Sequence, residues 1–103
     1  MVYQLRQYQI HSGQMDRWTD VFFKHISPLH ERLGIPIIGS WQSEDQKSFI
    51  WIRAFDSADV IEQQEAAYFA APERQALGDL PQTLIASMTI TVMTRSGRED
   101  LPQ

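Results

Sequence analysis

A stretch of seven residues, Phe49–Phe55, constrains the fold more than any other part of the chain. As a β-strand it would carry aromatic side chains on one face and aliphatic side chains on the other. A strand that is apolar on both faces has to be covered on both, so it belongs at the centre of a layered or paired-sheet domain. The same stretch carries Arg53 near its end. A guanidinium group in such a place needs a partner, and Arg53 therefore marks where a site could lie.

The composition narrows the classes of function. The chain has 103 residues, which is the size of one domain. Its formal net charge of −4 argues against nucleic acid or an anionic membrane as the main partner, because both attract concentrated positive charge. The chain contains no cysteine, which excludes disulfides, zinc–thiolate sites and thiol nucleophiles. We find neither a secretory signal nor an apolar run long enough to cross a membrane, so we expect a cytoplasmic protein.

The spacing of apolar residues predicts the helices and strands. Apolar residues at steps of three and four run from Met15 to Leu33 and predict the first helix, which Gly34 should end. Pro28 lies inside it and predicts either a kink or a break into two helical pieces. The other predicted elements are strands over 2–10, 37–42, 49–55 and 84–92, a helix over 58–70, a helical turn over 72–77, a loop over 79–81 and a polar tail over 96–103.

The order of these elements predicts the topology. Strand, helix, strand, strand, helix, strand is the order of the ferredoxin-like βαββαβ fold, an α+β fold with a four-stranded antiparallel sheet. We expect residues 1–95 to form this domain, with the first and third strands as a parallel central pair and the other two at the edges. An internal echo supports this, since Leu5–Tyr8 and Ile52–Phe55 share the order aliphatic, arginine, small or polar, aromatic. Arg6 and Arg53 should then point to the same face as near neighbours.

Two helices can cover only one face of such a sheet, although its strands are apolar on both. The simplest cover for the second face is another copy of the chain, so we expect a homodimer whose sheets pack face to face. We expect the aliphatic face to meet the helices and the arginine-bearing face to meet the partner; with the faces reversed, the arginines would lie under the first helix. The aliphatic face comprises Tyr3, Leu5, Ile50 and Ile52, and the arginine-bearing face comprises Arg6, Tyr8, Trp51 and Arg53.

Several short pieces, in this order and spacing, resemble the NIPSNAP family, part of the dimeric α/β-barrel group. The pieces are Tyr3–Tyr8, Ser12–Asp16, Pro28-Leu29, Gly39–Trp41, Phe55–Ala58 and Pro72-Glu73, and the resemblance spans residues 3–77. It implies a ferredoxin-like subunit in a homodimer, but no settled reaction. The wider superfamily includes cofactor-free monooxygenases of aromatic polyketides, haem-degrading enzymes and plain binding proteins, and the fold does not choose among them.

The two arginines are the first candidates for a site. Neighbouring guanidinium groups repel each other, and burial strengthens the repulsion, so a carboxylate has to neutralise them. One interpretation is an ion pair within the chain or across the dimer. The other is an anion-binding floor, in which planar arginine forks bind a carboxylate or phosphate of a ligand. The acidic residues available for an ion pair are Asp16, Asp56, Glu62 and Glu65.

The aromatic residues are the second group of candidates. Their polar atoms make tyrosine and tryptophan harder to bury than phenylalanine, so a cavity between the sheet and the first helix could use them to hold a flat apolar ligand. Packing in the core is the alternative. The predicted ligand-binding residues are Arg6, Tyr8, Trp18, Trp41, Trp51 and Arg53.

Among the histidines, His25 borders the apolar face of the first helix and is a weak candidate for a proton acceptor or an axial haem ligand. We favour a partly buried, hydrogen-bonded role for it. His25 and His30 are five residues apart, a spacing that does not place two helical histidines together for a metal ion. We predict no metal site and no cofactor.

Three functions therefore stay open. The protein could be a small homodimer that binds an apolar or aromatic molecule, with or without an anionic group, which we favour. It could be a cofactor-independent monooxygenase or isomerase that acts on an aromatic substrate in the same cavity. It could also be an interaction module without a ligand, in which all the candidate residues are core.

Overall fold

All four predicted strands form and pair into one antiparallel sheet, which a computed structural model describes together with the rest of residues 1–97. Across the sheet the strand order is β2-β3-β1-β4, so β1 and β3 are central and β2 and β4 lie at the edges, as predicted. The prediction of a ferredoxin-like α+β fold is confirmed. The strands are β1 (Val2–Ile10), β2 (Ile37–Gln42), β3 (Ser48–Phe55) and β4 (Ile85–Met93).

The helices pack on one face of this sheet. The first helix has three contiguous parts: α1 (Met15–Val21), a π-helical turn (Phe22–Ile26) and α2 (Ser27–Arg32). Gly34 follows with a φ of +73°, a left-handed conformation that suits glycine and ends the helix as predicted. The second helical region comprises a 3₁₀ turn (Ala58–Val60), α3 (Ile61–Ala70), α4 (Pro72–Gln75) and α5 (Leu80–Leu84).

The first helix runs through Pro28 without a break. Proline has no N–H to donate to the preceding turn. That turn is π-helical, and the N–H of Ser27 donates to the carbonyl of Phe22, five residues back. Because a π-helical turn rotates less per residue, the side chain of His25 lies farther from the sheet than regular α-helical spacing predicts. His25 is exposed, so the prediction that it is partly buried is wrong.

The predicted loop over 79–81 is also wrong, because α5 begins at Leu80. Pro81 occupies the first turn of this short helix. Proline is tolerated in a first turn because its N–H would have no partner there and its φ is already close to the helical value. The last strand consequently begins at Ile85 rather than Leu84.

The two central strands are antiparallel, which corrects the expectation of a parallel pair. The first helix returns the chain so that β2 runs parallel to β1, and the β2–β3 hairpin then reverses it, so β3 runs opposite to β1. In the observed register Arg6 lies opposite Trp51, and Gln4 lies opposite Arg53. Since paired and alternate residues share a face, the prediction that the two arginines are neighbours on one face is confirmed.

The face that carries the arginines lies under the helices, which reverses the face assignment expected from the sequence. Tyr8 and Trp51 are 4% and 2% exposed. The ring centroids are 5.5 Å apart for Tyr8 and Trp18 and 5.1 Å apart for Trp51 and Phe22, so both sheet residues pack against the first helix. The alternation of side chains along a strand specifies which of them share a face. It does not specify which face the helices cover when both faces are apolar.

The opposite face of the sheet carries no helix within residues 1–97, and we call it the open face. Leu5, Ile50 and Ile52 are only partly buried there. Trp41 pairs with Ile50 across β2 and β3, shares this face and is 53% exposed. The open face is therefore an apolar surface without a cover in a single chain.

Of the predicted tail, Ser96 and Gly97 are described and exposed, and residues 98–103 lie outside the described part of the chain. In residues 1–97 no helix is both long enough and apolar enough to cross a membrane.

Candidate ligand-binding site

A cavity of about 130 Å³ lies between the arginine-bearing face of the sheet and the helices. Its charged wall consists of Arg6, Arg53 and Arg74, and no aspartate or glutamate of residues 1–97 lines it. A buried cavity of about 150 Å³ can hold a benzene ring, so this space suits a single flat ring. The aromatic wall consists of Tyr8, Trp18, Trp51, Tyr68 and Phe69.

Arg53 is held from three sides. It is 2% exposed. Its Nε donates to Gln4 Oε1 at 2.8 Å, its Nη1 to His30 Nε2 at 2.9 Å and its Nη2 to Glu65 Oε2 at 2.6 Å. Burial lowers the pKa of Arg53 to about 10, the neighbouring Arg6 acts in the same direction, and Glu65 opposes it. Arg53 therefore stays charged at neutral pH, and each of its nitrogens has a protein acceptor.

His30 fixes one side of this guanidinium. Its ring is fully buried, Nδ1–H donates to the carbonyl of Ile26 at 2.8 Å, and Nε2 accepts the bond from Arg53. Burial lowers the pKa of His30 to about 4; the bond to Ile26 opposes this, and the charges of Arg53 and Arg6 add to it. His30 is therefore neutral at pH 7 with both ring nitrogens engaged.

Arg6 is less completely paired. It is 8% exposed, its Nε donates to Tyr8 Oη at 2.6 Å, and its Nη1 donates to Gln4 Oε1 at 2.9 Å. Its Nη2 has only a 4.0 Å contact with the sulfur of Met88. A thioether is a weak acceptor, so this end of the guanidinium has no strong partner among the described residues.

Glu65 of α3 supplies the carboxylate for the two strand arginines. Its Oε2 lies 2.6 Å from Arg53 Nη2 and 3.8 Å from Arg6 Nη1. The predicted ion pair is thus present within the chain, and Glu65 is the partner. This carboxylate does not line the cavity. The three arginines and Glu65 together carry a net charge of +2, and Arg74 has no carboxylate partner within residues 1–97.

Arg74 of α4 is the third arginine and was not predicted from the sequence. It is 7% exposed, and its Nη1 donates to the carbonyl of Gly78 at 3.0 Å. Its guanidinium carbon lies 5.9 Å from the ring centre of Tyr68 and 5.5 Å from that of Phe69, which is cation–π distance. Arg74 forms no ion pair with any residue in 1–97.

Two indole groups of the aromatic wall have buried N–H donors. Trp18 and Trp51 are 1% and 2% exposed. The Nε1–H of each has no acceptor among residues 1–97. Buried donors in folded proteins nearly always have a partner, and one left without it costs about 1–3 kcal/mol. Both nitrogen atoms have less than 1 Å² of accessible surface, so these unpaired donors are enclosed by packed side chains and are not exposed to the cavity.

The structure brings together five of the six predicted ligand-binding residues. Arg6, Tyr8, Trp18, Trp51 and Arg53 all line the cavity. Trp41 lies outside it on the open face. There its indole lies over Gly39, so that a Cβ on Gly39 would come within 2.7 Å of the ring. His25, the weak catalytic candidate, is exposed on the first helix and also lies outside the cavity.

Several residues of the site were not predicted. Of Gln4, His30, Tyr68 and Arg74, only Gln4 had a clear signal. Gln4 is two residues before Arg6 on β1. Because alternate residues of a strand share a face, the sequence alone could have placed Gln4 beside the arginines. His30 reaches the site because the π-helical turn changes the phase of the first helix. Tyr68 and Arg74 reach it through the packing of α3 and α4, which the weak apolar patterns of these helices did not specify.

Other features of the described residues are weaker candidates for a site. A more polar surface depression of about 430 Å³ lies between the end of β1, the start of α1 and the β2–β3 loop. It contains Asp16, Asp45 and Lys47, which are exposed side chains that water can solvate. No group of three histidine, aspartate or glutamate residues in 1–97 is placed to hold a metal ion.

Comparison with solved structures finds proteins whose fold is similar over nearly the whole chain. An uncharacterised NIPSNAP domain protein from Burkholderia xenovorans has a TM-score of 0.83, with 15% identity over 100% of both chains. A NIPSNAP family protein from Agrobacterium tumefaciens has a TM-score of 0.84, with 18% identity over 98% of both chains. SnoaB, a cofactor-independent oxygenase from Streptomyces nogalater, has a TM-score of 0.71, with 14% identity over 97% of both chains. At these identities the similarity shows a shared fold.

No curated protein matches the chain in sequence. The sequence model of the NIPSNAP family, however, matches residues 3–96. This range contains β2, β3 and β4, all of β1 except Val2, and every residue of the cavity wall. The match confirms the resemblance seen in the sequence, and the chain belongs to the NIPSNAP family.

Proposed function

We propose that the protein binds a small aromatic or apolar carboxylate in the cavity under the helices. One observation carries this proposal: three arginines and five aromatic rings line the cavity, whereas no carboxylate of the described residues does. Buried charges are stabilised when an opposite charge is close and hydrogen-bonded. A carboxylate of a ligand would supply the missing negative charge, and planar guanidinium groups match its geometry.

The rest of the wall supports a flat organic ligand rather than an inorganic anion. The rings of Tyr8, Trp18 and Trp51 provide apolar surface, and a volume of about 130 Å³ suits one aromatic ring. The charge of the arginines and the apolar surface of the rings thus favour one chemical class.

Titration of the protein with benzoate, followed by the indole N–H signals in ¹H–¹⁵N NMR spectra, tests the proposal. The chain has three tryptophans, so the spectrum contains an internal control. The signals of Trp18 and Trp51 should shift with saturation, while that of Trp41 on the open face should not. Single Trp→Phe variants assign the three signals.

If no signal shifts with millimolar benzoate, phenylacetate or cyclohexanecarboxylate, the binding proposal fails and an interaction module without a ligand becomes the better account. A shift of the Trp41 signal alone would place binding on the open face and would also contradict the proposal.

Cofactor-independent oxygenation in the same cavity is the alternative function, and a fold shared with SnoaB allows it. Such a reaction needs a group that accepts a proton from the substrate. Both ring nitrogens of His30 are already engaged, and His25 lies outside the cavity. These two features favour binding without chemistry. Oxygen uptake in the presence of an aromatic substrate, lost in Trp51→Phe while the fold is retained, would favour oxygenation instead.

We also propose that two copies of the chain pack through their open faces. The support is the uncovered apolar surface formed by Leu5, Trp41, Ile50 and Ile52. Large apolar patches on soluble proteins commonly mark interfaces, and a sheet face can pair with itself about a two-fold axis. Sedimentation velocity at micromolar concentration should give the mass of a dimer, and a monomer would contradict the proposal.

A further inference from the structure

The three arginines of the cavity differ in how many of their donors are free, and we propose that Arg6 and Arg74 bind the anionic group of the ligand while Arg53 is a structural arginine. This inference rests on the proposed binding function and assigns its specificity. It makes the site selective for an aromatic carboxylate over a neutral molecule of the same shape.

Arg53 is closed to a ligand. Its three nitrogens donate to Gln4, His30 and Glu65, and the shortest of these bonds, at 2.6 Å, is to the carboxylate of Glu65. Its charge is therefore neutralised by a carboxylate that does not line the cavity. A ligand anion would gain little from Arg53 without displacing Glu65.

Arg6 is half open. Two nitrogens are used by Tyr8 and Gln4, but Nη2 has only the sulfur of Met88 at 4.0 Å. Glu65 lies 3.8 Å from Nη1, beyond hydrogen-bond distance. Because Met88 also lines the cavity, the free donors of Arg6 lie at its wall. An oxyanion there would replace a weak acceptor with a strong one.

Arg74 is open and already fixed in place. The bond to the carbonyl of Gly78 and the rings of Tyr68 and Phe69 hold its guanidinium group without neutralising it. Phe69 is 47% exposed, whereas Arg74 itself is 7% exposed, so the guanidinium group is largely shielded from solvent. A group that is positioned before binding loses less entropy when the ligand arrives.

The test compares dissociation constants for benzoate and benzamide, which have the same ring and a similar size but differ in charge. The wild-type protein should bind benzoate at least about ten-fold more tightly. Arg74→Met should weaken benzoate binding by about ten- to a hundred-fold, the usual value of one charged hydrogen bond, and should change benzamide binding by less than about two-fold. Arg74→Lys should recover part of the loss, because it keeps the charge but not the planar fork.

Two further variants separate binding from folding. Arg95→Met removes an exposed arginine that follows β4 and does not line the cavity, and it should leave both affinities unchanged. Arg53→Lys should lower the melting temperature, but the folded fraction should keep its preference for benzoate.

Equal affinity of wild-type protein for benzoate and benzamide would overturn the inference while leaving the binding site in place. Folded Arg74→Met with unchanged benzoate affinity would overturn the role of Arg74. A loss of the benzoate preference in folded Arg53→Lys would overturn the structural role of Arg53. Absence of binding by either probe to wild-type protein would instead refute the proposed function itself.

Discussion

The two faces of the sheet are made by alternate residues of the same strands, but they meet different surroundings. On the covered face Arg53 and Trp51 are each 2% exposed and contact helices that supply Glu65 and His30. On the open face the neighbouring residues Ile50 and Ile52 stay partly exposed. In β1 and β3 the face that holds the charged groups is therefore the better covered one, whereas on edge strand β4 the same face leaves Met88, Ile90 and Val92 45–53% exposed.

The difference shows why charge and burial coincide in this fold. A guanidinium group can be buried only where other elements bring acceptors, and strands alone offer few free ones because their backbone groups are paired in the sheet. Helices α2 and α3 bring an imidazole and a carboxylate to the covered face. Aliphatic side chains need no such partners, so an apolar surface, such as that of a second copy of the chain, is enough to cover the open face.

The largest expected effect compares two tryptophans on neighbouring strands. Trp51→Ala should lower the free energy of unfolding by about 3–5 kcal/mol, because it leaves a cavity among packed rings. Trp41→Ala should lower it by less than about 1 kcal/mol, because the indole is 53% exposed. Urea unfolding at several protein concentrations, which removes the contribution of self-association, measures both values. Equal losses would show that the two faces do not differ as described.

The second prediction concerns the loss of stability at acidic pH. His30 has a pKa of about 4 when folded and 6.5 in a model compound, so between these values the unfolded chain binds more protons. Stability from the neutral, buried His30 is complete above about pH 6.5 and is lost as the pH falls toward 4, with a total effect of about 3 kcal/mol. Urea unfolding at pH values from 4 to 7 measures this slope.

The matched variants for this prediction are His30→Gln and His25→Gln. Glutamine at position 30 can still accept a bond from Arg53 but does not titrate, so the slope between pH 4 and 6.5 should become flatter. His25 is exposed, and its replacement should keep the wild-type slope. A wild-type slope in His30→Gln would show that other groups carry the pH dependence.

The smallest effect on the single chain is expected on the open face. Ile52→Glu places a charge on the proposed interface and should raise the dimer dissociation constant at least about ten-fold in sedimentation equilibrium. It should change the stability of the monomer by less than about 1 kcal/mol, because Ile52 is not fully buried in one chain. Gln63→Glu adds the same charge on the exposed side of α3 and serves as the control. Unchanged self-association in Ile52→Glu would contradict the proposed packing.

Local patterns predicted most of the fold. The stripe from Met15 to Leu33 and the alternation in the last strand each involve residues close in sequence, so their period specifies a helix or a strand directly. The predicted loop over 79–81 was wrong because Pro81 is as compatible with a first helical turn as with a loop. The direction of the central strands was wrong because it depends on the return path through the first helix.

The site was predicted less completely than the fold. Strand parity placed Arg6, Tyr8, Trp51 and Arg53 together, and the structure shows them on one cavity wall. Arg74 could not be placed, since it arrives on a four-residue helix whose position depends on packing. Regular α-helical spacing favours His25 over His30 as the histidine of the site. The π-helical turn changes this spacing, so His30 contacts Arg53 and His25 does not reach the cavity.

The sequence by itself determined the element order, the family and the fact that Arg6 and Arg53 share a face, because these follow from periodicity and motifs along the chain. Only the tertiary structure decided which face the helices cover, that Glu65 and His30 hold Arg53, and that Arg74 faces the cavity without a counter-charge in residues 1–97. The reason is that either face of a strand that is apolar on both sides can pack against the helices. The choice between them depends on the volumes and acceptors of distant helices, which no local pattern encodes.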